Sequence, residues 1–390
     1  MSKGLVCYSC GRTSSYPDRR CACGEPLWFE RQRLTNWPPP KTDASLWRFG
    51  DVLPTVAPPG FPGTVGGRPL FQAESVRAGD CDLWLKDETG HLTGSFKDRG
   101  SAVGVGWALQ NDIARVGTVS HGNMARSVAA TAAATGRDCV VLVPADIPAD
   151  RLSHISVFGP TIIRVEGAYG DLYERSFDLE QSMDGLFINS DDPLRVAGQK
   201  TVAYEIVDQI TPEAIVLPVS SGGNASAVWK GLRELEWMGH LDDSPRLHLV
   251  QAEACSPIAD AYGSEATAVG RVQPSETIAY SIANPDPPSG TRALEAARQT
   301  GGSVIAVSDQ AVRDAQDRLA RQAGVRVEPA SATTLAGAES LVESGEITAD
   351  ETVVLVLTGT GFTEQIVDDV QPPTVALDVL PQRLPEILSS

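Results

Sequence analysis

Short runs of β-branched and aliphatic residues alternate along the chain with Ala-rich stretches of helical period. CDLWLKDE reads as a strand, and VGTVS is followed by the helical RSVAATAAATG. CVVLVP precedes ADRLSHISVFG, and TIIRVEG precedes DLYERSFDLEQSM. Further on come AIVLPVS with SAVWKGLRELEWMG, LHLVQAE, SVIAVS with DQAVRDAQDRLARQAG, and finally TVVLVLTG. Apolar runs of this length bounded by turn residues are strands buried on both faces, and their alternation with helices predicts an α/β architecture with mainly parallel sheets. Gly-rich turns repeatedly end a strand and open a helix, where open α/β sheets bind ligands.

Two stretches break the pattern. The first 30 residues have their own character and are followed by the Pro cluster WPPPK at 37–41. A second Pro- and Gly-rich segment spans 53–69. With 390 residues the chain is long enough for more than one domain. No apolar run is long enough to span a bilayer, and the first residues carry no secretory leader pattern, so a cytoplasmic protein with no membrane partner is expected. The formal net charge of -18 disfavours nucleic acid as a partner. Lysine is scarce: Lys3, Lys41, Lys86, Lys97, Lys200 and Lys230 are all there are. An acidic, Lys-poor surface reads as adaptation to a salt-rich cytosol, where screening removes self-repulsion.

Four segments carry chemistry. TGSFKDRG at 93–100 places Lys97 at the entry to a helix, where the helix dipole disfavours ammonium and makes the amine a candidate Schiff-base former. The alternative is a capped helix with Lys97 and Arg99 facing solvent. SSGGNASA at 220–227 joins a strand to a helix, and its glycines let backbone N–H groups converge on a phosphate. SHGNMARS at 120–127 presents Asn123, and LTGTGF at 357–362 presents Thr358 at the end of an apolar strand. Near the N-terminus, Cys7, Cys10, Cys21 and Cys23 form a C-x2-C-x10-C-x-C pattern, with Gly11 and Gly24 following the pairs. That set suits a structural tetrahedral zinc, the alternative being four reduced thiols. Cys81, Cys139 and Cys255 read as small buried apolar groups.

The order of these segments resembles the fold-type II pyridoxal-phosphate enzymes of the tryptophan synthase β family, and within it the threonine synthases. LKDETGHLTGSFKDRG, FINSDDPLRVAGQKTVAYEI, VLPVSSGGNASAVWKG, TIAYSIANP, GVRVEPASATTLAG and VVLVLTGTG carry the resemblance. It implies two three-layer α/β domains: a large cofactor domain from 70–103 and 190–370, and a small one at 104–189. Before them stand a Cys-rich knuckle at 1–30, similar to that of archaeal-type members, and a linker at 31–69; a tail follows at 371–390. By the same resemblance Lys97 carries the pyridoxal 5'-phosphate and shuttles substrate protons, and Asn123 meets the ring hydroxyl. Gly222, Gly223, Asn224, Ala225 and Ser226 cradle the cofactor phosphate, and Thr358 faces the pyridine nitrogen. Asn189, Ser190 and Arg195 grip the phosphate of a small phosphorylated amino acid, with Ser120 and His121 beside it. A homodimer is the expected assembly.

The sequence also departs from the family. His121 and Met124 stand where hydroxyl residues are usual, Arg126 is unexpected, and Arg68 replaces the usual threonine. The implied activity is that of a threonine synthase acting on O-phosphohomoserine. The altered loop keeps another pyridoxal-phosphate elimination or replacement open, on O-phosphoserine as in cysteate synthase or as a serine/threonine ammonia-lyase. A binding protein on an inactive scaffold is disfavoured by the retained Lys97.

Overall fold

The structure is a computed structural model and describes residues 4–37, 44–58, 65–147, 149–167, 169–273, 275–364 and 372–388. Most of the Pro cluster at 37–41 lies outside the described residues.

The N-terminal unit is a small antiparallel sheet of strands β1 (Gly4–Cys7), β2 (Thr13–Ser15) and β3 (Leu27–Phe29), in the order β2-β1-β3. All three residues of β3 are buried. Side chains alternate across a strand, so Trp28 points one way and Leu27 and Phe29 the other. Trp28 packs with Tyr204, Trp229 and Leu232, whereas Leu27 and Phe29 pack with Val103, Leu194 and Ala197. The unit is thus wedged into two separate cores at once. The pattern along the chain did not announce these strands, because three or four residues are too few to show a period.

Strands β4 (Leu70–Gln72) and β5 (Asp82–Asp87) begin the main body. The chain then builds a second sheet from β6 (Arg115–Val119), β7 (Asp138–Pro144), β8 (Thr161–Val165) and β9 (Gly185–Phe187). It returns with β10 (Ala214–Pro218), β11 (Arg246–Ala252), β12 (Val304–Val307) and β13 (Thr352–Leu357). The larger sheet has the order β12-β11-β10-β13-β5-β4, parallel except for β4, and the smaller is an all-parallel β8-β7-β6-β9. Architecture and sheet direction agree with the α/β expectation. The last strand in chain order, β13, inserts between β5 and β10. That insertion is a switch point in strand order, beside which α/β sheets open a crevice at the carboxyl ends of their strands.

The helix Lys97–Gln110 is buried over ten of its positions, and it packs against Pro193–Gln199 and Asn123–Ala134. Its run of Gly, Ala, Ser and Val is what lets three helices approach so closely. In the tail, Leu380–Leu388 forms a helix with no buried residue, although Pro385 lies inside it. No described helix is long and apolar enough to cross a membrane.

Candidate active site

One cleft of about 890 Å³ gathers the four chemical segments. Lys97, Ser120, His121, Asn123, the 220–225 loop and Thr358 all line it, each at the carboxyl end of a strand or the start of a helix. Backbone pairing ties two of these segments together: Phe96 N–H donates to Thr358 O at 3.0 Å, and Thr360 N–H to Gly94 O at 2.8 Å. The lysine loop and the β13 terminus are therefore joined by backbone pairing.

Lys97 is half-buried, with its ammonium nitrogen 4.4 Å from the Phe96 ring centroid. Burial and the nearby Arg195 charge bring its pKa down to about 7, against the pull of Glu328. Near neutral pH a large share of its amine is therefore the free, nucleophilic form.

The 220–226 loop fits a phosphate. Gly222 has φ +85 and caps the helix Gly223–Met238; a Cβ there would sit 2.2 Å from Ser289 O as well as in a conformation L-residues avoid. A Cβ on Gly223 would come within 2.4 Å of Ser190 O. Both Asn224 side-chain polar atoms are buried without a hydrogen-bond partner. A bare helix N-terminus beside unsatisfied amide donors matches the chemistry of a phosphate ester. At the far side Thr358 Oγ1 lies 2.9 Å from Ser331 Oγ, a hydroxyl pair that fits a heterocycle nitrogen. Together these residues fit pyridoxal phosphate.

Asn123 is held at both ends. Its Nδ2 donates to Glu328 at 2.7 Å, and its Oδ1 accepts from Arg126 at 2.7 Å. Arg126 is buried, not on a solvated helix face, and its job is to fix the amide. Burial pushes the Glu328 carboxyl above its usual range, while Asn123 pulls it the other way. Glu328 lines the cleft and was not singled out from sequence. The clue was an acid directly before the helix-starting Pro329 in RVEPAS.

Three residues expected on the wall stand behind it. Asn189 is fully buried: its Oδ1 accepts from Val119 N–H at 2.9 Å, and its Nδ2 donates to Ser176 at 2.7 Å. It ties β6 to the helix Tyr169–Met183. Arg195 is also fully buried and donates to Ser101 Oγ at 3.1 Å and to Lys97 O at 3.3 Å. It supports the lysine from below. Ser226 turns its hydroxyl to Trp28, which donates from Nε1 at 3.2 Å. Ser190 does line the cleft. The arginines on the wall, among the described residues, are Arg20 and Arg271. Arg20 comes from the N-terminal unit, where it reaches Asp191 at 3.1 Å, while Arg19 pairs with Asp192 at 2.9 Å and Glu180 at 2.6 Å.

The four N-terminal thiols converge, all within 4.8 Å of one another. Cys7 and Cys23 are 3.6 Å apart at sulfur, as are Cys10 and Cys21. Four thiolates around zinc, each about 2.3 Å from it, stand roughly 3.8 Å apart, so the donor set fits a closed structural site. Gly11 (φ +71) and Gly24 (φ +94) close the two turns, donating to Cys7 O and Cys21 O. Cys81, Cys139 and Cys255 are buried.

Comparison with known proteins agrees with this geometry. The threonine synthase of Methanocaldococcus jannaschii is 34% identical over 371 residues, covering 91% of this chain and 92% of that one. That of Mycobacterium tuberculosis is 37% identical over 303 residues, covering 76% and 82%. Among solved structures, maize serine racemase superposes with a TM-score of 0.65 at 22% identity, covering 83% of this chain and 92% of that one. The serine racemase of Dictyostelium discoideum gives 0.63 at 22% identity, covering 78% and 93%. These structures share the fold. Residues 62–359 match the pyridoxal-phosphate dependent enzymes, and the chain belongs to that family, the one that includes the threonine synthases.

Proposed function

We propose that the protein is a threonine synthase, which converts O-phosphohomoserine and water to L-threonine and phosphate. The observation that carries this reading is the convergence of Lys97, Asn123, the 220–225 loop and Thr358 in one cleft, in a chain alike to threonine synthases over most of its length. Bound pyridoxal phosphate supplies an electron sink for negative charge at the substrate's α carbon. The chain supplies the rest. Lys97 Nζ, poised near neutrality, takes and returns substrate protons. Arg126 and Glu328 hold the Asn123 amide in one orientation. Ser190, Ser120 and His121 on the wall, with Arg20 nearby, face the departing phosphate. The Thr358–Ser331 hydroxyl pair leaves the ring less protonated than a carboxylate would, which suits elimination and replacement.

The test is a substrate panel. Purified protein with cofactor is expected to release phosphate and threonine from O-phosphohomoserine in equal amounts. A second reading draws on Asn189 and Arg195 standing behind the wall and on His121 and Met124 lining it. Under that reading the substrate is O-phosphoserine or free serine and threonine. Phosphate or ammonia from those substrates, with none from O-phosphohomoserine, would establish it and end the first.

The proposal extends to one structural zinc on Cys7, Cys10, Cys21 and Cys23, to a cytoplasmic location and to a homodimer, the last read by light scattering. Elemental analysis is expected to find one zinc per chain in wild type and none in Cys7→Ser. Metal-free wild type would leave the cluster as reduced thiols.

A further inference from the structure

One poorly satisfied buried charge lies outside the cleft wall. Arg292 is fully buried, and of its three nitrogens only Nη2 has a hydrogen-bond partner, Ser289 Oγ at 2.9 Å. Nε and Nη1 are silent. Its guanidinium lies 5.8 Å from the Tyr8 ring centroid and 5.6 Å from that of Trp28, both in the N-terminal unit. A buried cation with silent donors is costly unless an anion answers it. Aromatic faces answer it only in part.

The position of Arg292 says where that anion lies. Ser289, its one partner, stands at the N-cap of the helix Gly290–Gln299 that carries Arg292 and also holds the 220–226 loop: its N–H donates to Ser221 O at 2.9 Å. Its carbonyl is what a side chain on Gly222 would strike. Trp28, which stacks near the guanidinium, donates to Ser226 in the same loop. Two independent links therefore run from Arg292 and its aromatic cage to the 220–226 loop. The neighbouring acids, Asp191 and Glu25, already hold Arg20 and Tyr8. Burial draws the Arg292 pKa down to about 10, so the group remains charged at neutral pH.

We propose that Arg292 is the charge counterpart of the cofactor's phosphate ester, acting through Ser289 from behind the 220–226 loop, and that Tyr8 and Trp28 of the cysteine unit hold it there. It is a positioning residue. The role rests on the cofactor and not on which amino acid is the substrate. It also gives the cysteine unit a function: its fold sets the affinity of a site it does not line with its own cysteines.

The experiment titrates full-length apoprotein with pyridoxal phosphate and, separately, with pyridoxal, which lacks the phosphate. Absorbance and tryptophan fluorescence report binding without turnover. Arg292→Met is expected to weaken pyridoxal phosphate ~10- to 100-fold while changing pyridoxal less than ~2-fold. Arg292→Lys keeps the charge and recovers most of the loss; Trp28→Phe, which removes one link, costs several-fold on pyridoxal phosphate alone. Should Arg292→Met fail to fold, Ser289→Ala reads the same ratio with only a hydroxyl removed. Equal weakening of both ligands in the folded variants, or no change in either, overturns the proposal.

Discussion

Lys97→Ala is expected to abolish the visible absorbance of the bound cofactor and to lower kcat/KM by ~10³-fold or more, because the variant lacks both the attachment point and the proton carrier. Borohydride is expected to fix the cofactor to wild type at this residue and to leave the variant unlabelled. The pH dependence is more specific. With a pKa of about 7, roughly half the Lys97 amine is neutral at pH 7, whereas an ordinary lysine offers only about one part in several thousand. The rate at which apoprotein captures the cofactor should therefore rise with pH, with a midpoint near 7 and a plateau above about 8. Burial is the leading cause of the depression and Arg195 the second, with Glu328 opposing. Removing the positive neighbour makes the ammonium easier to hold, so Arg195→Met moves the midpoint up. Removing the negative one does the reverse, so Glu328→Gln moves it down. A wild-type midpoint near 10, or shifts of the opposite sign, would refute this account of the site.

The sheets were legible because their strands are buried on both faces: AIVLP and TVVLVL are apolar at nearly every position, and both became central strands of the larger sheet. The three strands of the cysteine unit were not, since their burial comes from long-range packing of Leu5, Trp28 and Phe29 against helices far along the chain. The site was legible as chemistry but not as direction. FKDRG, GGN and the Thr358 turn each sit where a strand meets a helix, and such junctions face a cleft by topology. Asn189 directly precedes Ser190 and Arg195 follows in the same NSDDPLR segment, yet of the three only Ser190 reaches the cleft. Which side of a turn a residue takes depends on what competes for it, and Ser176 and Val119 claimed Asn189 while Ser101 claimed Arg195. Arg126 shows the same limit in reverse: nothing in an Ala-rich helix announced that this charge would turn inward to the Asn123 amide. Sequence spacing paired the cysteines correctly into one cluster but gave no sign that Arg20 from that unit would stand in the cleft.

Arg99→Met is expected to destabilise the protein by about 3–5 kcal/mol, the cost of leaving buried carboxylates without their cation. The turn containing Arg99 admitted a solvent-facing reading, but the side chain is fully buried and its five N–H donors are all used. Nε and Nη2 grip Glu88 at 2.6 and 2.7 Å, Nη1 and Nη2 grip Glu205 at 2.7 Å each, and Nη1 also reaches Thr201 at 2.9 Å. Lys86 adds a contact to Glu205 at 2.7 Å, and His91 one to Glu88 at 2.9 Å. Arg99 lies two residues beyond Lys97 on the same helix, so this network also pins the helix entry that aims the Lys97 amine. Lysine cannot reproduce a two-sided fork, and Arg99→Lys should recover only part of the loss. Acid titration separates this network from simple packing. Burial alone would raise both carboxyls; Arg99, with Lys86 at Glu205 and His91 at Glu88, overcomes it, holding Glu88 well below the usual range and Glu205 at about 2. Between pH 4.5 and about 2 the unfolded chain then binds more protons than the folded one, so wild type loses stability steadily as pH falls through that window. In Arg99→Met the burial effect is opposed only by Lys86 and His91, and that acid slope should flatten or change sign. Denaturant melts of wild type and both variants at a series of pH values read the two effects together. A loss under about 1 kcal/mol, or an unchanged acid slope, would mean that Lys86 and His91 suffice and that Arg99 is not what balances the buried acids.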